Sequence, residues 1–491
     1  MKKFLSSILF ITSVLLFFSA CGGGGTTSDN PSSNNNGGNI DNVIIDPQAF
    51  YIDVVNGNDN DNGKTPQTAW KSIKKLNSIA INAGNKILFR AGQKWQGQLT
   101  ISNSGTAENP IIIGSYGEGT APVISAVGII NIMNNNHNNN VDDNEWIPYN
   151  AIGNEGLSID FKEPVPDPAN TWLAVILDAD PNRVKINGQE VLGAFDSSEL
   201  SDRVKWSYNR DKGGTVFYYY GNDKPNQIET NLYTSPLYIH DNQYIIVQDI
   251  TLEGGYVAAL FIENANNITV KNIQAGEMSK QGIYVKAENS TSKNIHIQNC
   301  TIDSKYTLDY AFTGSKEAHG RTTTTRGAPE GIMFWGGIQN STISGNFIKN
   351  WTHANINMSA DNGEALTNNE VFNNTLTAPD IAYGGRIGLD GQNAANNYFH
   401  DNTITDIKAP IQFNGHDNRF QNNKLTNIKQ SPLKPAETGN AIIIQGYTSP
   451  VYNITITNNT FKNIAKDPAI FISDNNKFEI KNIITTPNIY E

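Results

Sequence analysis

The chain has 491 residues and a formal net charge of −11, from 47 acidic and 36 Lys or Arg side chains. Nucleic-acid-binding proteins present a basic surface, so this balance argues against a nucleic-acid partner. The chain has two cysteines, and one of them, Cys21, lies near the N-terminus ahead of the folded part, so no disulfide is expected there.

Residues 1–20 have the pattern of a secretory signal peptide, with Lys2 and Lys3 before an apolar run at 4–18. The Ser19-Ala20-Cys21 junction resembles the lipobox of bacterial lipoproteins, which implies a lipid on Cys21 and a cell-envelope location. A glycine after Cys21 resembles lipoproteins sorted to the outer membrane. An ordinary cleaved signal is the alternative. Residues 21–41 consist mainly of Gly, Ser, Thr and Asn, which predicts a flexible tether.

Residues 42–130 are predicted to form an N-terminal cap and the first coils of a solenoid. Four apolar residues fall on one face of a predicted short helix, and they are Trp70, Ile73, Leu76 and Ala80. An amphipathic helix at this place would cover the open end of the first coil.

Residues 131–231 interrupt the pattern and predict a small inserted β subdomain. Predicted strands at 172–177, 183–186, 204–208 and 215–220 follow a low-complexity loop. Trp146, Trp172 and Trp206 could stack on sugars, but aromatic residues in so small a unit favour a core role.

Residues 232–491 repeat one phrase at a spacing of roughly 28 residues, which predicts stacked supersecondary units. Each unit contains short runs of Ile, Val, Phe and Thr separated by Asn, Asp and Gly, which predicts strands and tight turns. The second turn residue is Asn in five successive units, at Asn346, Asn374, Asn402, Asn423 and Asn459. Identical amides at one height can bond along the stack, so an internal Asn ladder is expected.

This repeat resembles the right-handed parallel β-helix family, whose pectate-lyase-like members carry an interior Asn ladder at one corner. The fold class predicted is therefore all-β, with a capping helix and an inserted subdomain. Cys300 stands at the ladder position of an earlier unit and is predicted to be a small buried residue.

One strand of each unit alternates, so its two apolar residues point inward and the residues around them point outward. The inward pairs are Ile283 and Val285, Ile332 and Phe334, Ile356 and Met358, Ile387 and Leu389, Ile411 and Phe413, and Ile442 and Ile444. The outward set is Tyr284, Lys286, Met333, Trp335, Asn357, Arg386, Gly388, Asp390, Gln412, Asn414 and Gln445, to which His416 is added as a further binding residue. Such a face could bind a glycan, and an ordinary polar sheet face is the alternative.

The loops that lead into these strands carry further candidates. The loop at 303–329 has five basic side chains, which are Lys305, Lys316, His319, Arg321 and Arg326, and His353 precedes a later strand. In the pectate-lyase-like family the groove lies between this sheet and its loops, so the resemblance implies that substrate binds here.

The constellation suits a lyase that acts on an anionic, uronic-acid-containing glycan. Arg386 would neutralise the sugar carboxylate, and Lys286 or His353 would remove the adjacent proton. Trp335 would stack on a sugar, while Asp390, Asn357, Gln412, Asn414, His416 and Gln445 would bind hydroxyl groups. The family resemblance also implies Ca²⁺, although no metal ligand is assigned.

Two alternatives remain open. A glycoside hydrolase needs two carboxylates about one bond, and only Asp390 is placed centrally, with Glu330, Asp361 and Glu364 expected at strand edges or in loops. A surface lipoprotein that binds glycans without cleaving them is the other alternative. In each case the chain is expected to act as a monomer that contacts the membrane through its lipid alone.

Overall fold

A computed structural model describes residues 45–130, 146–151, 164–176, 183–193, 197–202, 204–211, 214–305, 329–360, 363–381, 383–432, 434–446, 449–473 and 477–491. The predicted signal peptide, Cys21 and the predicted tether lie outside the described residues, as do Lys316, His319, Arg321, Arg326 and Asp361. No helix in the described part of the chain is long and apolar enough to span a membrane.

Three parallel sheets form the body of the described chain. Sheet 1 consists of Ala49–Ile52, Lys86–Arg90, Ile111–Tyr116, Gln243–Gln248, Asn266–Lys271, Ile295–Gln298, Thr342–Ser344, Glu370–Phe372, Tyr398–His400, Arg419–Gln421, Val451–Thr457 and Ile480–Ile484. Sheet 2 consists of Lys94–Gln96, Val123–Ser125, Thr251–Glu253, Gln274–Ala275, Thr301–Asp303, Phe347–Lys349, Thr375–Thr377, Thr403–Thr405, Lys424–Ile428, Thr460–Ile464 and Ile489–Tyr490.

Sheet 3 carries the predicted groove face. It consists of Leu99–Ile101, Leu237–His240, Ala258–Glu263, Gln281–Lys293, Glu330–Gln339, Ala354–Ser359, Arg386–Asp390, Ile411–Phe413, Ile442–Ile444 and Ile470–Ile472, with the short strands Leu366–Thr367 and Ala394–Ala395 beside it. Each coil runs from sheet 1 to sheet 2 to sheet 3, as in Thr342–Ser344, Phe347–Lys349 and Ala354–Ser359. The right-handed parallel β-helix predicted from the repeat is confirmed.

An Asn ladder occupies the corner between sheets 1 and 2. The Asn346 amide nitrogen donates to Asn374 Oδ1 at 3.0 Å, and Asn374 donates to Asn402 at 2.9 Å, with 28 residues between the partners in each step. The same bonds continue from Asn402 through Asn423 to Asn459. Cys300 lies at the head of this ladder, where its backbone N–H donates to Asn346 Oδ1. Burial raises the pKa of its thiol to about 11, so it is a packing residue.

The left-handed turn residue is the one before each ladder Asn. Asn373, Asp401, Asn422 and Asn458 have φ between 53° and 60°, whereas the ladder residues are not among the positive-φ positions. The two turn residues of each corner therefore have different roles. The first adopts the left-handed backbone conformation, and the second directs its side-chain amide into the stack.

A second ladder, which the repeat alone does not single out, lies at the corner between sheets 3 and 1. The Ser341 backbone N–H donates to Asn369 Oδ1, and the Asn369 amide donates to Asn397 Oδ1 at 3.0 Å. Asn397 continues to Asn418 at 3.1 Å. Two of the three corners are therefore fixed by buried amides, which makes the coil stack rigid.

The capping helix is shorter than predicted. It spans Ile73–Asn77, with the Ser72 side chain accepting from the Lys75 backbone N–H. Ile73, Leu76 and Trp70 are buried in the main core as expected, but Ala80 is exposed and Ile81 takes the buried place. The helix ends too early for Ala80 to share its apolar face.

The inserted subdomain is an eight-stranded, mainly antiparallel sheet within the described residues. Its strands, in spatial order, are Val127–Ile129, Ile228–Asn231, Val184–Ile186, Gln189–Gly193, Val204–Asp211, Gly214–Tyr220, Thr171–Ile176 and Ile147–Pro148. Short 3-10 helices lie at Tyr149–Ala151, Pro168–Asn170 and Ser197–Glu199 in this region, and another, Pro66–Thr68, lies before the capping helix. Trp146 and Trp206 pack in the subdomain core with Trp172 beside them, which supports the core role over sugar stacking.

Polar contacts join the subdomain to the β-helix. The buried Arg183 guanidinium binds both carboxylate oxygens of Glu190 and donates to the Ser304 carbonyl at 2.9 Å. The Asn231 amide donates to the Met278 carbonyl at 2.7 Å. Ser304 and Met278 both follow strands of sheet 2, so the subdomain lies beside the loops that lead into sheet 3.

Candidate active groove

The outer face of sheet 3 has the in-and-out pattern that alternation predicts. Every residue of the six apolar pairs is fully buried. Two outward columns run across neighbouring coils in parallel register. The first column is Phe261, Tyr284, Met333, Asn357, Gly388 and Gln412, and the second is Glu263, Lys286, Trp335, Ser359 and Asp390. Trp335, Asn357, Gln412 and Asp390 are partly exposed, whereas Met333 is buried.

A register irregularity sets the position of Arg386 at the start of its strand. Ala354 pairs with Arg386, whereas Ile356 pairs with Ile387, so Asn355 is an extra residue in its strand. Asn355 is buried, and its amide donates to the Thr377 carbonyl at 3.1 Å. Bulges of this kind re-aim the side chains next to them, and here His353 lies within reach of Arg386.

Arg386 has neutral partners on two sides. Its Nη1 donates to Gln412 Oε1 at 2.9 Å, and its Nη2 contacts His353 Nε2 at 2.6 Å. The Nε is buried and has no hydrogen-bond partner among the described residues. Arg386 forms no ion pair with a carboxylate among the described residues, and its side chain is partly exposed.

His353 is held between a cation and an anion. Its Nδ1 lies 3.0 Å from Glu330 Oε1, and its side chain is 26% exposed. Burial and the Arg386 charge lower the pKa of His353, and the Glu330 carboxylate opposes this shift only in part. The imidazole is therefore neutral at pH 7, as a general base must be before it takes a proton.

Glu330 is the first residue of its strand, as expected, and its side chain is buried. It accepts from Gln281 Nε2 at 3.0 Å and from Asn357 Nδ2 at 2.7 Å, in addition to His353. Its side chain is 5% exposed. Glu330 is two residues before Ile332 in its strand, and through Ala354 it shares the register position of Arg386 in a later coil.

Lys286 lies in the second column but has carboxylates on two sides. Its ammonium is 2.9 Å from Glu288 and 3.4 Å from Glu263. Burial acts to lower the pKa of Lys286, but the two carboxylates outweigh it and hold the pKa above its ordinary value. A base needs the opposite shift, so the structure does not favour the expected catalytic role for Lys286.

Of the next two expected binding residues, Asn414 has another role and Gln445 lies at the surface. Asn414 is fully buried and its amide donates to Asp390 Oδ1 at 3.0 Å, so it braces Asp390 instead of facing solvent. Gln445 is partly exposed and follows the strand Ile442–Ile444 one coil further on.

His416 lies apart from the groove centre. Its backbone forms β-bridges with Ala395 and Tyr452. Its ring stacks on the Tyr452 ring with centroids 4.7 Å apart, and its Nδ1 lies 2.6 Å from Asp417 Oδ2. Tyr452 belongs to sheet 1, so His416 is at the corner between sheets 3 and 1 and the expected binding role is not supported.

An aromatic stack extends the first column towards the N-terminus. Tyr238, Phe261 and Tyr284 stack with ring centroids 5.0 and 5.2 Å apart, and the Tyr238 hydroxyl donates to Glu263. Continuing the alternation two coils towards the N-terminus finds these residues, because Leu260 and Ile262 are the next inward pair.

The described loop cations are occupied elsewhere. Lys305 pairs with Glu277 at 2.6 Å. Lys408 Nζ donates to backbone carbonyls that include Pro379 at 3.0 Å. Both lysines are thus bound to other groups, whereas the side-chain partners of Arg386 are neutral.

The described residues contain no cluster of acidic side chains that would mark a calcium site. Ca²⁺ takes six to eight oxygen ligands, usually with several carboxylates, and no group of three acidic, His or Cys side chains with that geometry occurs among the residues described. The carboxylates of the face are separate, since Glu330 bonds His353 and Asn357 while Asp390 bonds Asn414.

The fold is that of a parallel β-helix protein, and polar and aromatic side chains line the outer face of its third sheet. No protein-family model matches the chain. A lacto-N-biosidase of Bifidobacterium longum subsp. longum is 23% identical over 266 residues, which is 50% of this chain. The chain spans 15% of the length of that curated relative.

Solved structures of similar shape are more distant in sequence. A GH136 lacto-N-biosidase from Eubacterium ramulus aligns with 89% of this chain and 68% of its own, at 12% identity and a TM-score of 0.44. An alginate lyase from Paenibacillus sp. aligns with 85% of this chain and 97% of its own, at 11% identity and a TM-score of 0.37.

Proposed function

We propose that this protein is a polysaccharide-acting enzyme that cleaves a uronic-acid-containing glycan by β-elimination. The observation that carries the proposal is the Arg386 guanidinium, which lies in the groove with neutral partners and no carboxylate among the described residues. A partly buried cation of this kind favours an anionic ligand group, and a planar sugar carboxylate matches its fork of donors. The partial similarity to a lacto-N-biosidase supports a glycan as the substrate class.

The reaction requires three changes around one uronate ring. Arg386 neutralises the carboxylate, which acidifies the hydrogen on the neighbouring carbon. The base takes that proton, and the electrons of the broken C–H bond form a C=C bond as the glycosidic C–O bond breaks. The departing oxygen takes a proton from solvent, and the base later returns its own proton to solvent.

His353 is the better base of the two expected candidates. Its pKa is lowered, so it is neutral and able to accept a proton, whereas Lys286 is held protonated by Glu263 and Glu288. Trp335 offers an aromatic surface in the neighbouring column, and Asn357, Gln412 and Asp390 provide donors and acceptors for hydroxyl groups.

A glycoside hydrolase is the second candidate, because the relative of known activity is a glycosidase by name. Its two carboxylates would be Glu330 and Asp390, which align with opposite ends of the five-residue strand Arg386–Asp390 two coils apart. Standard strand spacings put their Cα atoms on the order of 16 Å apart. The carboxyl groups of glycosidases lie about 5 to 9.5 Å apart, so Glu330 and Asp390 would have to extend towards each other to act as such a pair, and this supports the lyase over the hydrolase.

We also propose that the protein is held at the cell envelope by a lipid on Cys21, with the tether separating the groove from the membrane. The motivation is the Ser19-Ala20-Cys21 junction and the Gly, Ser and Asn composition that follows it. A surface-held enzyme of this kind would meet polymers too large to cross the envelope.

A substrate panel tests the function directly. Purified full-length protein in detergent would be incubated with uronic-acid polysaccharides and with neutral ones, while ultraviolet absorbance of the unsaturated product and new reducing ends are both followed. Lyase action gives both signals together on an anionic polymer. Reducing ends without absorbance would establish the hydrolase, and binding without either signal would establish a non-catalytic lipoprotein.

A further inference from the structure

Glu330 is a buried carboxylate whose side-chain contacts are three residues from the two neighbouring coils. Gln281, His353 and Asn357 all approach it, at 3.0, 3.0 and 2.7 Å respectively. Gln281 precedes Glu330 in the stack, and Asn357 follows it on the next strand of sheet 3. A buried charge is costly unless such donors surround it, so this position is specified by the fold and is not an ordinary outward polar residue.

The contacts of Glu330 fix the tautomer of His353. A carboxylate only accepts, so His353 Nδ1 must carry the proton that bonds Glu330 Oε1. The guanidinium only donates, so the His353 Nε2 lone pair must accept from Arg386 Nη2 at 2.6 Å. Glu330, His353 and Arg386 thus form a directed chain in which the basic nitrogen points at the anion-binding group.

We propose that Glu330 is a positioning residue that holds His353 in the Nδ1–H tautomer, and that an anionic ligand on Arg386 releases His353 Nε2 to act as base. The inference rests on the proposed function. When a ligand carboxylate takes Arg386 Nη2, the Nε2 lone pair loses its donor beside the acidified C–H. The proton then moves from that carbon to Nε2, and the resulting imidazolium faces the Glu330 carboxylate.

The charges around His353 act in opposite directions. Arg386 and the more distant Lys434 lower its pKa, and Glu330 raises it. Ligand binding neutralises the Arg386 charge and leaves Glu330 in place, so the basicity of His353 rises when a uronate occupies the groove. Without a ligand, the Arg386 charge keeps the His353 imidazole unprotonated. When a uronate is bound, this effect is removed and His353 becomes a stronger base.

Glu330→Gln tests the positioning role without creating an obvious packing defect. Gln281 Oε1 is buried and without a partner, so the Gln281 amide can rotate and accept from the new amide. In ¹⁵N spectra of ring-labelled full-length protein, with His353→Gln to assign the signal, the wild type should show the Nδ1–H tautomer. Glu330→Gln should lower the His353 titration midpoint, and Arg386→Gln should raise it.

Glu370→Gln is the matched control, because Glu370 pairs with His400 on sheet 1 at 2.9 Å. This variant should leave the His353 signal unchanged. A free protein with the Nε2–H tautomer, or two groove variants that shift the His353 midpoint in the same direction, would overturn the proposal.

Kinetics on the polymer found by the substrate panel give a second readout. Glu330→Gln should lower kcat on the order of 100-fold with little change in KM, and should move the acid limb of the kcat profile to lower pH. Glu330→Asp should recover part of kcat. A purely structural role would lower kcat without moving the acid limb, and would overturn the proposal. If no glycan is cleaved but the tautomer and both shifts are found, the positioning role stands and the proposed function fails.

Discussion

Gly388 lies directly beside the Asn357 side chain, and a Cβ at Gly388 would come 2.3 Å from Asn357 Oδ1. The two residues are register partners on adjacent strands. Because the Asn357 amide donates to Glu330 at 2.7 Å, the missing side chain at Gly388 leaves the space that lets this bond form. Gly388 adds no side chain to the outward column, but the space that it leaves allows the hydrogen bond between Asn357 and Glu330.

Gly388→Ala should displace Asn357 and lower turnover by roughly 10- to 100-fold, since small misplacements in a catalytic network are costly. The melting temperature should change little, because the new methyl group points away from the interior of the β-helix. The measurement is kcat beside thermal unfolding. If the effect acts through Asn357, Gly388→Ala should add little to Asn357→Ala in the double variant. Additive losses would show that Gly388 acts by another route.

Arg386→Gln should lower kcat/KM roughly 100-fold or more, because the carboxylate would lose its charged partner in the transition state. Arg386→Lys should recover only part, since an ammonium cannot provide the planar fork. Arg419→Gln is a suitable control, as Arg419 is an exposed arginine on sheet 1 that stacks on Tyr398. Equal rates for Arg386→Gln and wild type on every cleaved polymer would place the anion site elsewhere.

Asn402→Ala should destabilise the β-helix by about 3 kcal/mol, because it leaves buried partners unpaired in the adjacent coils. Asn402 accepts from Asn374 and donates to Asn423 and to the Val371 carbonyl. Urea unfolding followed by circular dichroism measures the change. The neighbouring exposed residue provides the control, since Thr403→Ala should cost little. Similar urea midpoints for the two variants would contradict a structural ladder.

Chelation should leave turnover unchanged, because the described groove residues offer no cluster of carboxylates for Ca²⁺. The measurement is the initial rate after EDTA treatment, against the same sample with Ca²⁺ restored. Activity that disappears with EDTA and returns with Ca²⁺ would contradict this expectation and support the calcium that the family resemblance implies.

Cys21→Ala should move the protein from the membrane fraction to the soluble fraction, because it removes the predicted attachment atom. Mass spectrometry of the wild type should find a lipid on an N-terminal Cys21. Cys300→Ala is the matched control, since the buried Cys300 should have no part in anchoring. An unmodified N-terminus, or a Cys21→Ala protein that remains membrane-bound, would contradict lipidation.

The sequence by itself determined the coil architecture. Its repeat predicted stacked β units, and its alternation assigned Ile332 and Phe334 to the interior and Trp335 to the outer face, because successive strand side chains must point to opposite sides. The Asn residues at the same turn position of successive units predicted the buried ladder, because equivalent amides at one height can bond along the stack. These features depend on local geometry repeated many times.

Only the tertiary structure decided which outward residues act together. His353 lies 23 residues from Glu330 and 33 from Arg386, and their hydrogen bonds join separate coils. An extra residue at Asn355 shifts the register there. Alternation gives each side chain a direction but not a partner, because partners depend on bulges, rotamers and the space left by residues such as Gly388. The same limit explains why alternation predicts Asn414 on the outer face although it is buried against Asp390.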